Sequence, residues 1–381
     1  MNRSSIEFQR ARRRPEASRD GPTGGRRANS RSMTNLGRAT EAEIHSQPMI
    51  WEDVLRVFRQ GADIGLPSPD AYEEIVFTGC GSTYFLAMSA ASLLEDHAGI
   101  PARALPASEI ILSSQDRRPV GPRLLVAISR SGSTTETVEA ARIFRERLDA
   151  DVLAITCHPN SPLGAQAGDI LSAEPAQESS VVQTRSFTSM LLLSAGWITR
   201  HLGEAPAKEL RNQGEQLLER HGPFFDRLGS EPDLQRFFIL GGGARHGLAR
   251  EAALKICEMC LDDATAYNTL ELRHGPISRV NRESLVIGMI HHEHAQIEAQ
   301  VLRDASALGA RTVALVDHLE GLTLPGADIA LEVAGAVPDP WNLALYLPLV
   351  HRLALARARE KGLDPDRPSN LSAVIQLSLA G

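Results

Sequence analysis

An internal repeat constrains this chain more than any other feature. The segment at residues 76–87 (VFTGCGSTYFLA) recurs at 238–249 (FILGGGARHGLA), setting Gly79 against Gly241 and Gly81 against Gly243 at an offset of 162 residues. Further on, Leu125-Val126 is answered by Leu285-Val286, and residues 150–156 (ADVLAIT) by 310–316 (ARTVALV), both at an offset of 160. Three matches in one order at nearly constant spacing are the mark of a duplicated unit. A length of 381 residues agrees, since it exceeds what one hydrophobic core organises and suits two.

Within each half, short apolar runs such as 74–78, 124–129 and 152–156 alternate with longer amphipathic stretches such as 134–146. Strands that alternate with helices predict an α/β fold with a parallel, doubly wound sheet in each half. Such strands are covered on both faces, so they read as continuous apolar runs. Ligands of such sheets sit beyond the strand C-termini. The expected organisation is a head at 1–42, a first domain at 43–205 with a helical lead-in, a linker helix at 206–228, a second domain at 229–365 and a tail at 366–381.

Charge separates the head from the body. Residues 1–40 hold ten Arg against three acids, which leaves 30 basic and 44 acidic residues for the rest, a net of −14. An acidic body argues against nucleic acid as a partner, because that affinity comes mainly from Lys and Arg on phosphates. The Arg-, Ser-, Gly- and Pro-rich head lacks the apolar residues for a core and is expected to be disordered. Residues 1–32 read as an upstream extension ahead of Met33, or as a nucleic-acid tail or transit peptide. Four scattered cysteines do not make a disulfide framework, which points to a reducing cytoplasm. No apolar run reaches the length of a bilayer span, so no membrane is expected.

Three motifs carry chemistry. The first runs from Leu124 through Ser129-Arg130-Ser131-Gly132-Ser133-Thr134 into an amphipathic helix. A strand that ends in a hydroxyl-rich turn and a helix start offers hydroxyl and amide donors to a phosphate dianion. The alternative is that Ser and Thr merely cap the helix. The second motif, Gly79-Cys80-Gly81-Ser82-Thr83, is another strand-to-helix turn whose glycines permit close backbone approach. It is not a dinucleotide fingerprint, since Tyr84 stands where the third glycine belongs. The third sets Glu251, Lys255 and Glu258 at i, i+4 and i+7 on one helix face, followed by His274 before Gly275-Pro276. Spacing alone leaves a solvated ion ladder equally open.

Together, Ser129–Thr137 (SRSGSTTET), Val181–Thr188 (VVQTRSFT), Glu251-x-x-x-Lys255-x-x-Glu258 and Glu271–Pro276 (ELRHGP) resemble a family. It is the SIS (sugar isomerase) family, in particular the isomerase half of glucosamine-6-phosphate synthase, the aminosugar-6-phosphate deaminases and the fructosamine-6-phosphate deglycases. The resemblance covers residues from about 43 to 376 and implies two tandem SIS domains. It implies that Thr83, Ser129, Arg130 (through its backbone), Ser131 and Thr134 bind the sugar phosphate. Gly81, Ser82, Val181 and Gln183 would lie near the sugar. Glu258 would be the base that shuttles a proton between C1 and C2, with Glu251 and Lys255 as polar support. His274 would open the sugar ring in a neighbouring subunit's site, which implies a homodimer with shared sites.

Two departures from the synthases matter. No cysteine precedes Cys80 to serve a glutaminase, and Ala373 stands where the synthases carry a tail lysine. The expected function is therefore a deaminase or isomerase that converts a phosphorylated amino sugar to a ketose phosphate and ammonia. A fructosamine-6-phosphate deglycase and a non-catalytic sugar-phosphate-binding regulator are the alternatives. No cofactor is expected. The run His291-His292-Glu293-His294 looks like a metal site, but adjacent histidines on a strand or turn are expected to point in different directions, so no metal is assigned. Cys257 and Cys260 lack a second pair and read as core residues.

Overall fold

The computed structural model describes residues 36–61, 65–113, 121–200 and 205–377. The chain opens with helix α1 (Arg38–Gly61) and builds a first half from β1 (Glu74–Gly79), α2 (Ser82–Ala98), β2 (Ala102–Pro106), α3 (Ala107–Leu112), β3 (Arg123–Ile128), α4 (Thr135–Arg147), β4 (Asp151–Thr156), β5 (Asp169–Ser172) and α5 (Arg185–Thr199). Helix α6 (Ala207–Gly229) leads into the second half: β6 (Arg236–Gly241), α7 (Ala244–Cys260), β7 (Asp263–Tyr267), β8 (Ser284–Ile290), α8 (Ala295–Ala307), β9 (Arg311–Val316), β10 (Ile329–Glu332) and α9 (Leu347–Glu360).

Each half forms a five-stranded sheet, in the order β2-β1-β3-β4-β5 in the first and β7-β6-β8-β9-β10 in the second. Every pairing is parallel. The two orders are the same, and the duplication extends to dihedral angles. Gly81 before α2 has φ 55° and Gly243 before α7 has φ 53°, a left-handed conformation that L side chains rarely adopt. The continuous apolar runs are explained by burial: β3 is buried from Leu124 to Ile128 and β8 along its whole length.

In this strand order the direction of winding reverses between β1 and β3 and again between β6 and β8, which opens a crevice beyond the strand ends in each half. The halves are clamped by α2 on α7. A Cβ at Gly247 would lie 2.2 Å from Ser89 Oγ and 2.4 Å from the Phe85 carbonyl oxygen, so the two backbones approach as only glycine permits. Ser89 Oγ donates to the Ala244 carbonyl at 2.7 Å across the same seam. Helix α5 is buried from Ser186 to Thr199, which is why it reads as apolar on every side. Among the described residues no helix is long and apolar enough to cross a membrane.

The head ends earlier than its sequence suggests. Residues 1–35 lie outside the described residues, but Gly37 donates its amide to Asp364 Oδ1 at 2.9 Å, and the Ala39 and Thr40 amides donate to the Asp366 carboxylate at 3.0 and 2.8 Å. An acidic group at a helix start satisfies orphan amides and complements the helix dipole. Residues 36–42 are thereby folded against the C-terminal tail.

Candidate active site

Two loops meet at the first crevice, the turn after β1 (Cys80–Gly81) and the hydroxyl loop after β3 (Ser129–Thr134). The hydroxyls divide into two groups. Ser129 is buried, and its Oγ accepts the Gly132 amide at 3.1 Å, while Thr83 Oγ1 accepts the Cys80 amide and donates to the Cys80 carbonyl, both at 3.0 Å. These two hold the turns in shape. Thr134 occupies the N-cap position of α4, yet its side chain makes no capping bond. The helix-cap reading of this hydroxyl is thus overturned, and Thr134 stands half-buried at the loop mouth with Ser131 and Ser133. The start of α4 behind them supplies first-turn amides and positive partial charge.

Arg130 contributes more than its backbone. Its guanidinium donates to the Ser180 and Val182 carbonyls at 3.3 and 3.4 Å, pairs with Glu178 at 3.5 Å and reaches the Ala373 carbonyl at 3.5 Å. It thereby ties the hydroxyl loop to the segment that carries Val181 and Gln183. Two buried acids that the sequence reading missed shape that segment. Glu178 accepts the Thr184 amide at 2.7 Å and the Thr184 hydroxyl at 2.9 Å; Glu43 on α1 accepts the Ser180 amide at 3.2 Å and the Ser180 hydroxyl. Burial, together with the charge of Glu178, raises the pKa of Glu43. Gln183 keeps a buried Oε1 without a hydrogen-bond partner among the described residues, an acceptor suited to a sugar hydroxyl. The tail crosses the same loop: the Thr135 amide donates to the Ile375 carbonyl at 3.4 Å, and the Leu377 amide to Thr135 Oγ1 at 3.1 Å.

Helix α7 of the second half brings in the charged face. Lys255 and Glu251 are fully buried, with Lys255 Nζ 3.1 Å from Glu251 Oε1, in contact with the Glu258 carboxylate, and 3.3 Å from Ser82 Oγ in the first turn of α2. This buried triad replaces the solvated ion ladder that spacing alone left open. Burial pushes the Glu251 carboxyl up to about 7, against the attraction of Lys255. Burial favours the neutral amine at Lys255, but the adjacent Glu251 and Glu258 carboxylates outweigh it and raise its pKa. Glu258 keeps a 14% exposed side chain beside the tail residues Asp364, Arg367 and Ser369. The Lys255–Ser82 bond thus ties the charged face of α7 in one half to the turn after β1 in the other.

His274 lies elsewhere on the surface of the chain. It is exposed on the loop after β7, the edge strand of the second sheet, and among the described residues no hydrogen bond or ion pair engages its imidazole. One expectation about orientation is overturned in the second half. The His291 and His292 rings stack with centroids 4.6 Å apart and planes at 28°, because the chain turns into a short 3-10 segment (His292–His294) where β8 ends.

A model of the SIS domain matches residues 71–195 and 233–356, one copy on each sheet. The chain is similar to the isomerizing glutamine–fructose-6-phosphate aminotransferase of Halobacterium salinarum, 29% identical over 356 residues, which covers 87% of this chain and 57% of that protein. It thus spans little more than half the length of the first such relatives. An Escherichia coli K12 protein, named provisionally as a D-galactosamine-6-phosphate deaminase, is 26% identical over 87% of this chain and 92% of its own length. The crystal structure of a glucosamine-6-phosphate deaminase from Thermotoga maritima superposes with a TM-score of 0.71 at 25% identity, over 89% of this chain and all of that one.

Proposed function

This chain belongs to the SIS domain family, and from that premise we propose that it deaminates a phosphorylated amino sugar, giving a ketose phosphate and ammonia. The observation that carries this reading is the Lys255–Ser82 bond, which brings a carboxylate-bearing helix to the turn beside a hydroxyl loop whose Thr134 makes no capping bond. A helix start with Ser and Thr donors holds the phosphate of a substrate. A carboxylate facing it serves to move a proton between adjacent carbons.

The residues divide the work as follows. Ser131, Ser133, Thr134 and the first-turn amides of α4 hold the phosphate, and Gln183 accepts a sugar hydroxyl. His274 of a second copy takes the anomeric hydroxyl proton and returns a proton to the ring oxygen, which opens the ring. Glu258 removes the C2 proton, and the electron pair forms the C1=C2 bond of an enolamine while the C1=O π pair moves to O1, which takes a proton from water. The proton on Glu258 is then returned at C1 as the nitrogen lone pair forms the C2=N bond. Water adds to the resulting C2 imine, and the C–N bond breaks to leave a ketone and ammonia. Lys255, held charged by Glu251 and Glu258, keeps the base oriented and offsets negative charge beneath the substrate.

The deaminase names of two similar proteins support this direction, as does Ala373 at the place of the synthases' tail lysine. The test is ammonia and ketose-phosphate release from a panel of 2-amino-2-deoxy-hexose 6-phosphates in gluco and galacto forms, with fructosamine 6-phosphates alongside. Release from an amino sugar phosphate is expected. Release from fructosamine phosphates alone would make the enzyme a deglycase, and no release from any of them would leave a sugar-phosphate binder.

A further inference from the structure

The second crevice, between β6 and β8, has no role in the reaction above and is built from different chemistry. Where the first half has hydroxyls, the second has His291, His292, Glu293 and His294. A cavity of about 430 Å³ opens here, with Asp96 and His97 of α2 on one wall and Arg245, Glu298 and Asp339 on the other. Four carboxylates (Asp96, Glu293, Glu298 and Asp339) against one guanidinium make the cavity hostile to an anion. Arg245 is itself committed: it donates to the Tyr346 hydroxyl at 3.0 Å and pairs with Asp317 at 3.4 Å and Asp339 at 3.7 Å.

Beside this cavity, Asp317 at the end of β9 is almost fully buried. Its Oδ1 accepts the backbone amides of His292 at 2.7 Å and His318 at 3.1 Å, which fixes the carboxylate, and Oδ2 faces the imidazoles with the Arg245 guanidinium also on it at 3.4 Å. Oδ2 lies 3.0 Å from His292 Nδ1 and 3.5 Å from His291 Nε2, and the three ligand atoms all fall within 4.8 Å of one another. A tetrahedral ion with bonds of about 2.0–2.1 Å separates its ligand atoms by about 3.3 Å, so the 3.0 and 3.5 Å spacings to Oδ2 suit edges of such a polyhedron. His291 Nδ1 accepts the Glu293 amide at 3.3 Å, so an ion on Nε2 requires the ring to change tautomer and release that bond.

We propose that the second crevice holds one divalent transition-metal ion of the zinc class on His291 Nε2, His292 Nδ1 and Asp317 Oδ2, with its remaining position open to the cavity. Two imidazoles and a carboxylate form a donor set that such ions prefer. The two backbone amides on Oδ1 orient the carboxylate as outer partners of metal ligands do. The duplicated fold thus carries two sites of unlike chemistry, a phosphate-type crevice in the first half and a cation site in the second.

The test uses untagged full-length protein, stripped with a chelator, dialysed and titrated with Zn²⁺ in competition with a chromophoric chelator. One ion per chain is expected, with a melting temperature that rises with Zn²⁺ concentration, and Co²⁺ should give the intense visible bands of a tetrahedral site. Losing a ligand should weaken binding by at least the 10- to 100-fold, roughly, that an outer partner is worth. His291→Ala should show this loss, and His274→Ala, on another surface, should not. Asp317→Asn tests the carboxylate. Should that variant fail to fold, His291→Ala decides the matter, since the partly exposed His291 ring carries little of the packing. Absence of stoichiometric binding, or an unchanged affinity in His291→Ala, would overturn the proposal and leave two imidazoles hydrogen-bonded to a carboxylate.

Discussion

Replacing Lys255 with Met probes the electrostatics that link the two halves. The change keeps the length of the side chain but removes the only cation that contacts the fully buried Glu251 carboxylate among the described residues. A carboxyl raised by burial from 4.5 to about 7 already costs the fold about 3 kcal/mol once ionised. The native state binds more protons than the unfolded chain between those values. Stability from this group is therefore fully present below about pH 4.5 and is lost as the pH rises through 7. Without Lys255 the attraction that offsets burial is gone and the carboxyl stays protonated at pH 8, so the penalty there deepens by about 1–2 kcal/mol beyond the loss common to both pH values. At pH 5 Glu251 is protonated in both proteins, and only the Ser82 hydrogen bond and the partly exposed Glu258 pair are lost, about 1–2 kcal/mol. Urea denaturation at both pH values measures the difference, and Glu251→Gln added to Lys255→Met should recover most of the extra loss at pH 8. An equal loss at both pH values, or no recovery in the double variant, would refute the reasoning.

The phosphate loop is tested by Ser131→Ala with Thr134→Ala: each removes a charge-assisted hydrogen bond of about 1.5–3 kcal/mol, and the expected effect is a raised KM with little change in kcat. Gly247→Ala should destabilise the protein by about 2–3 kcal/mol in denaturant unfolding, because its methyl would lie 2.2 Å from Ser89 Oγ and must push α2 from α7. The shared site is tested by mixing inactive Glu258→Gln and His274→Ala chains: a mixed dimer assembles one complete site of two, so partial recovery of activity is expected. Absence of recovery despite proven subunit exchange would confine each site to one chain.

The parts of this molecule that were legible in its sequence are those written in local pattern. The repeat announced two sheets because strands buried on both faces must be apolar throughout, as β3 and β8 are. The i, i+4, i+7 spacing put Glu251, Lys255 and Glu258 on one helix face, but spacing says nothing of what covers that face. Burial against α2 depends on Gly247 meeting Ser89 across 158 residues of chain. Glu43 and Glu178 escaped notice for the same reason. Each is an ordinary acid in its own segment and becomes structural only when the Ser179–Thr184 backbone brings it donors, for Glu43 from 137 residues away. Asp366 capping α1 at a separation of 326 residues is a third case. The direction of the His291 and His292 rings depended on a short 3-10 turn that no periodicity records.

The most direct measurement of the central claim, that the first half holds the phosphate while Glu258 of the second half moves the proton, is the separation of binding from turnover in Glu258→Gln. Gln keeps the shape of the side chain and removes the base. With the amino sugar phosphate that the wild type turns over, kcat should fall by about 10²–10⁴ while the sugar phosphate still binds within a few-fold of the wild-type Kd. Turnover retained at near the wild-type rate would contradict the account, and so would a loss confined to binding.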